Sequence, residues 1–319
     1  MKGIRGSTPL LRCFIPLRHV RDGFDHGAGM KIAGVVIVIA LALYLGVSAY
    51  AAINMMKIPR ILLRDSPASV GLVYEEVSFA SRVDSVGLKG WYIPGERTFT
   101  IIIVNGGWRN RVDPKVGTLE LTSDLVESGY SVLLFDLRGR GESGGEGLAF
   151  IYTERDIGGA VDHIRSTGCP TDSIGIIGFS SGAASSLIFA SQESIGALIL
   201  DGCFADMNKM IIREAPKRRV PQFIARSFTP GVFLMAKTIY GYKAVSPVDR
   251  VGDVTCPILF IHGKVDGSVP VTDVQQLYQA GNNPSNRLWV VDGADHTQAY
   301  KTNPTSYVDK VTSFFRSLP

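Results

Sequence analysis

The chain has 319 residues, 45% of them hydrophobic, and carries 33 basic against 29 acidic residues for a net charge of +4. A surplus that small gives no sign of nucleic-acid binding. Among the four cysteines no C-x-x-C spacing suggests a metal site, and no internal repeat or low-complexity tract breaks the chain.

The first predicted feature is a basic segment, residues 1–31, with Lys2, Arg5, Arg12, Arg18, Arg21 and Lys31. Residues 32–56 follow as an uncharged run rich in Ile, Val, Leu, Ala and Gly. A bilayer crossing takes about 20 apolar residues as a helix, so this run is long enough to span. Two starts compete. From Met1 the segment is a signal anchor whose preceding cations outnumber the following Lys57, Arg60 and Arg64, which leaves the rest of the chain outside the cytoplasm. From Met30 it is a secretory signal with Ala49-Tyr50-Ala51 as an A-x-A cleavage site. The uncleaved anchor is preferred because the apolar run exceeds the usual length of a signal's hydrophobic region. The expected location is a single-pass cell-membrane protein with its folded domain extracytoplasmic. Cys13 precedes the anchor; Cys169, Cys203 and Cys256 are read as isolated, mostly buried thiols.

Roughly 260 residues remain, enough for one large domain with a substantial core. From residue 73 apolar strand-like runs alternate with helical periodicity, the pattern of a mostly parallel sheet covered by helices on both faces. Residues 73–79 and 86–93 read as an antiparallel edge, and 98–104 as a buried β-branched strand followed by Asn105-Gly106-Gly107-Trp108. A helix at 119–127 precedes a strand at 131–135, which leads into Asp136-Leu137-Arg138-Gly139-Arg140-Gly141-Glu142-Ser143. A helix at 156–166 precedes the run Ile174-Gly175-Ile176-Ile177, then Gly178-Phe179-Ser180-Ser181-Gly182, then a small-residue helix. A G-x-S-x-G between a strand and a helix reads as a nucleophile elbow, whose flanking glycines avoid collision with the neighbouring helix and strand.

After a strand at 195–201 the alternation breaks at about 203–244, where helical stretches are interrupted at Pro216, Pro221 and Pro230-Gly231. This insert carries Lys209, Arg213, Lys217, Arg218, Arg219, Arg226, Lys237 and Lys243 against Asp206 and Glu214. A basic lid near an anchor suits anionic lipid or an acidic substrate; a solvated face is the plainer reading. Its apolar residues, from Phe204 and Met207 to Phe223, Leu234 and Tyr240, either line a pocket or pack the insert onto the body. A buried strand at 258–263 ends just before Asp266, and another at 287–291 leads into Asp292-Gly293-Ala294-Asp295-His296. The last helix sets Tyr307, Val311, Phe314 and Phe315 at core spacing.

A serine hydroxyl needs a base within hydrogen-bond reach and a third group to hold that base in one tautomer. Ser180, Asp266 and His296 supply these in the order nucleophile, acid, base. His19 and His26, ahead of the apolar run, and His163, in a helix, read as surface or structural. Asp292 and Asp295 are close to His296 in sequence, but Asp266 has the better strand-end position.

From about residue 73 to the end the chain resembles an α/β-hydrolase of the bacterial group of esterases, lipases and prolyl-aminopeptidase-like serine hydrolases. The motifs at 105–108, 136–143 and 178–182, with His262-Gly263 and Asp266, carry the resemblance. It implies an eight-stranded, mostly parallel α/β-hydrolase sheet with a helical cap at 203–244. It also implies an acyl-enzyme mechanism on Ser180, Asp266 and His296 without metal or organic cofactor. The oxyanion would be held by the backbone of Ser181 and of Gly107 or Trp108, the register being open because such enzymes usually carry His-Gly where Asn105-Gly106 stands. His262, four residues before Asp266 at a strand end, is the rival base, but in the family such a histidine supports the acid's loop; Asp136 and Arg138, which could bind substrate, are expected instead to brace theirs. Three functions follow: hydrolysis of carboxylic esters or thioesters, serine peptidase activity, and binding without catalysis. The first is preferred, because recognition of a free ammonium calls for carboxylates that the cap hardly offers. The partners expected are a small or lipid-like ester and the membrane.

Overall fold

The computed structural model describes residues 26–318. The expectations placed on the basic residues 2–21, Cys13 and His19 lie outside the described residues. The chain divides into two units, Met1–Leu43 and Tyr44–Pro319. In the first, the described residues open helix α1 (His26–Met56), whose large apolar side chains such as Met30, Ile37 and Leu43 stand exposed.

The second unit starts ahead of residue 57, where hydropathy alone sets the boundary. Ser48, Ala52 and Met56 are buried, the latter two in a cluster with Leu148, Ile151, Val232 and Ala236. The chain then hydrogen-bonds into the body at Ile58 N to Gly147 O, 2.9 Å. The last turns of the apolar helix are therefore part of this unit's fold.

Next come β1 (Glu75–Ala80), β2 (Gly87–Ile93), β3 (Thr100–Val104), α2 (Thr118–Glu127), β4 (Ser131–Phe135) and α3 (Thr153–Ser166). They are followed by β5 (Ile174–Phe179), α4 (Ser181–Ala190), β6 (Ala197–Asp201), α5 (Met207–Glu214) and α6 (Gln222–Tyr240). The chain closes with β7 (Ile258–Gly263), α7 (Val271–Ala280), β8 (Arg287–Val291), α8 (Ala299–Thr302) and α9 (Pro304–Arg316). One sheet holds all eight strands in the order β1-β2-β4-β3-β5-β6-β7-β8. Only the β1–β2 and β2–β4 pairs are antiparallel. Strand pleating sends alternate residues to opposite faces. Ile102 and Val104 pack beneath α3 and α4, and Ile101 and Ile103 beneath α2 and α9, so the central strands are apolar throughout. Tyr307, Val311, Phe314 and Phe315 bury the stripe of α9 as its spacing requires.

The cap departs from expectation at one point. Pro216 lies in a 3₁₀ turn and Pro221 sits at the start of α6, but α6 continues through Pro230 instead of stopping. An interior proline opens the helical ladder by removing a donor and crowding the preceding turn. Here the Tyr44 hydroxyl fills the opening, donating to Ser227 O at 3.0 Å and accepting from Gly231 N at 3.1 Å.

Candidate active site

Ser180 follows β5 and precedes α4 with φ 52° and ψ −117°, a backbone conformation that side-chain-bearing residues seldom adopt. The turn is tight enough that a Cβ on Gly178 would lie 2.6 Å from Ala183 Cα, and one on Gly182 2.2 Å from Val104 O. The two glycines are thus a steric requirement, and the backbone they allow lifts the serine hydroxyl above the sheet. Ser180 N donates to Asp201 O at 2.8 Å, tying the elbow to the end of β6.

His296 Nε2 lies 2.8 Å from Ser180 Oγ, and His296 Nδ1 lies 2.7 Å from Asp266 Oδ2. The carboxylate can only accept, so Nδ1 carries the proton and Nε2 offers a lone pair to the serine hydroxyl. The Asp266 side chain is fully buried. Burial pushes its carboxyl upward, but hydrogen bonds from His296 and from the N–H groups of Val269 and Ser268 outweigh that and hold it below the usual carboxylate range. These N–H groups sit 2.7 and 2.8 Å from Oδ1.

The rival residues have other partners. His262 Nε2 donates to Val269 O at 2.8 Å, fastening the acid's loop from within, and burial lowers its pKa. His163 stacks on Phe79 with ring centroids 4.9 Å apart. Asp292 is exposed and pairs with Lys264 at 2.6 Å. Asp295 accepts from Gly267 N at 2.9 Å and His296 N at 2.7 Å, stitching the base's loop to the acid's. Its sequence signal, a carboxylate one residue before the base, is indistinguishable from an ordinary loop residue.

Asp136 and Arg138 do not pair with each other. Asp136 accepts from Arg111 Nη2 at 2.7 Å, Arg111 N at 2.6 Å and Glu142 N at 2.9 Å, while Arg138 donates to Asp156 at 2.7 Å and Asp84 at 2.6 Å. Both clamp the loops beneath the site, and leaving either partner alone in the interior would be costly. Gly107, at φ 56°, donates its N–H to Ser181 Oγ at 2.6 Å. Ser181 is the first residue of α4, so its own N–H is one of the donors that a helix start leaves unpaired. The Trp108 side chain is half exposed. Gly107 and Ser181 therefore bring two backbone donors to the elbow.

Family membership rests on this fold together with one match. A model of the alpha/beta hydrolase family covers residues 101–300, most of the sheet and every residue just described from Asn105 to His296. The chain belongs to the alpha/beta hydrolase family. Among curated relatives, it is 28% identical over 239 residues to the uncharacterized protein YqkD of Bacillus subtilis (strain 168), covering 72% of this chain and 76% of that protein. It is 27% identical over 235 residues to the alpha/beta hydrolase domain-containing protein WAV2 of Arabidopsis thaliana, covering 69% and 71%. Among solved structures, the Pyrococcus furiosus esterase Pf2001 superposes with a TM-score of 0.70 at 24% identity, over 83% of this chain and 98% of that one. The esterase RhEst1 from Rhodococcus sp. ECU1013 superposes with a TM-score of 0.56 at 16% identity, over 76% and 99%.

Within this hydrolase fold Asp201 was legible only as the end of β6. It is fully buried and neither carboxyl oxygen has a hydrogen-bond partner of good geometry among the described residues. Burial pushes its pKa up to about 8, the Tyr307 hydroxyl pulls it down, and the Asp266 charge raises it further. A carboxyl raised from about 4 on unfolding to about 8 in the fold stabilises fully below pH 4, and that stability is lost as pH rises toward 8. Asp201→Asn removes this loss. The variant is expected to melt at least about 2 °C above the parent at pH 8 and no higher than the parent at pH 4, checked by thermal denaturation at both pH values. A pH-independent difference would mean that the Asp201 carboxyl titrates alike in the folded and unfolded chain.

Proposed function

We propose that this chain is a membrane-anchored serine hydrolase that cleaves carboxylic esters or thioesters through an acyl-enzyme. The observation that carries the reading is the unbroken hydrogen-bond chain from Ser180 through His296 to Asp266, with the serine at a strained elbow. His296 Nε2 takes the Ser180 proton as Oγ attacks the carbonyl carbon. Asp266 holds the imidazole in its tautomer and stabilises it once charged. The oxyanion lies between the N–H groups of Gly107 and Ser181, where fixed donors stabilise charge that develops only in the transition state. Reaching it, the substrate oxygen takes over the Gly107 donor that Ser181 Oγ now occupies. His296 then protonates the departing alcohol or thiol, and water repeats the sequence to release the acid.

The cap's carboxylates favour esters over peptides with a free N-terminus. Asp206 caps α5 by accepting from Lys209 N at 3.0 Å, and Glu214 pairs with Lys217 at 2.7 Å. Neither is free to bind an ammonium group. The expected result with purified protein is turnover of short p-nitrophenyl esters and none of aminoacyl-naphthylamides. The reverse preference would establish the peptidase, and turnover of neither, with no labelling by a fluorophosphonate, would leave a binding protein.

The anchor reading rests on α1, whose stretch Gly29–Met56 contains an 18-residue window with a mean hydropathy of 2.6. Crossing as a helix satisfies every backbone group within the segment. With the cations of residues 2–31 on the cytoplasmic side, the hydrolase unit lies outside.

A further inference from the structure

We propose that the outer face of α6 is a docking surface for the bilayer, its cations taking anionic phospholipid headgroups while its exposed apolar side chains enter the interface. The proposal rests on the anchor reading above and goes beyond it, since an anchor can hold a domain clear of the lipid.

The packing of α6 on α1 supplies the first argument. The Tyr44 and Phe228 rings stack with centroids 5.0 Å apart, and the Tyr44 hydroxyl sits in the α6 backbone between Ser227 and Gly231. A Cβ on Gly231 would fall 2.3 Å from Ser48 Oγ, so the two helices touch through backbone and small side chains. From Tyr44 onward α1 and α6 are one packed unit.

Length supplies the second. The uncharged residues ahead of Tyr44, 32–43, rise about 18 Å as a helix. The hydrocarbon layer is about 30 Å thick, so a crossing needs roughly eight residues more. Those are the residues just after Leu43, and their side away from α6 is suited to lipid, with Val47 50% and Tyr50 71% exposed. The stretch of α1 that completes the crossing is thus the stretch that grips α6.

Composition supplies the third. On α6, Phe223 and Leu234 are 71% and 53% exposed, with the exposed cations Arg226 and Lys237 close by and no acidic residue in the helix. Large apolar groups beside cations on one helix face are what an interfacial helix on an anionic surface presents. In water the same face is an unexplained apolar exposure.

The test uses full-length Phe223→Trp and Leu234→Trp proteins in phosphatidylcholine vesicles containing about 30% phosphatidylglycerol. Brominated acyl chains quench tryptophan in or near the hydrocarbon. Tyr278→Trp, at an exposed position on α7, is the control. Bromination is expected to cut the added emission at least about twofold at 223 and 234 and to leave that at 278 unchanged; equal responses at all three overturn the docking surface. Omitting phosphatidylglycerol, or neutralising Arg226 and Lys237 together to Gln, is expected to reduce the quenching. Quenching unaffected by either overturns the headgroup assignment. Carbonate washing separates the two readings: a chain that washes off overturns the anchor and the docking with it, whereas a retained chain with unquenched 223 and 234 overturns the docking alone.

Discussion

Ser180→Ala is expected to abolish covalent labelling by a fluorophosphonate and to lower kcat on a p-nitrophenyl ester by about 10⁶, the scale on which serine hydrolases lose activity with their nucleophile. The substitution keeps the elbow, because the strain belongs to the backbone at φ 52° and the glycines at 178 and 182 remain. An unchanged melting temperature beside the lost activity would assign the effect to the hydroxyl. Labelling that persists on the folded variant would place the nucleophile elsewhere and end the acyl-enzyme reading.

The second large effect concerns the acid. Asp266→Asn is expected to lower kcat by about 10⁴ at neutral pH, as the corresponding change does in the serine proteases. The Asp266 Oδ1 position accepts from the N–H groups of Ser268 and Val269, so an asparagine keeps its carbonyl oxygen there. Its amide nitrogen then faces His296 Nδ1 and donates to it. The ring is driven to the tautomer that carries hydrogen on Nε2, which cannot accept the Ser180 proton. Asp292→Asn is the control, because Asp292 pairs only with Lys264 at the surface, and its kcat should stay within about twofold of the parent. The two side chains stand at the ends of neighbouring strands, so a large loss at Asp292 with little at Asp266 would reverse the assignment of the acid.

Ser180 was legible because its requirements are local: a strand, two glycines and a helix within a few residues fix its backbone. Asp266 and His296 were legible through their order and their places after β7 and β8, which a parallel sheet brings to one edge. The sheet was legible because strands buried on both faces are apolar at nearly every position. What sequence left open depends on contacts across the chain. The bond that brings the Gly107 N–H to the elbow runs to Ser181, 74 residues away. Asp295 joins two loops through backbone N–H groups that any sequence would offer. Asp201 is a carboxylate ending the otherwise apolar run Ala197-Leu198-Ile199-Leu200, a signal present in the sequence and passed over as a strand terminus. The continuation of α6 through Pro230 had no local sign, since the group that completes it is 183 residues from Ser227.

That last contact bears on how such a protein can be rebuilt. Leader segments are often interchangeable, because an address and an activity share no atoms. Here the helix read as the anchor completes the backbone of α6 with the Tyr44 hydroxyl. A foreign leader joined upstream of Tyr44 leaves that seat intact. One joined at Met56 removes it, and the Gly231 N–H and Ser227 carbonyl lose their partner within α6. Modularity in this chain ends at Tyr44, within the very helix that hydropathy assigns to transport.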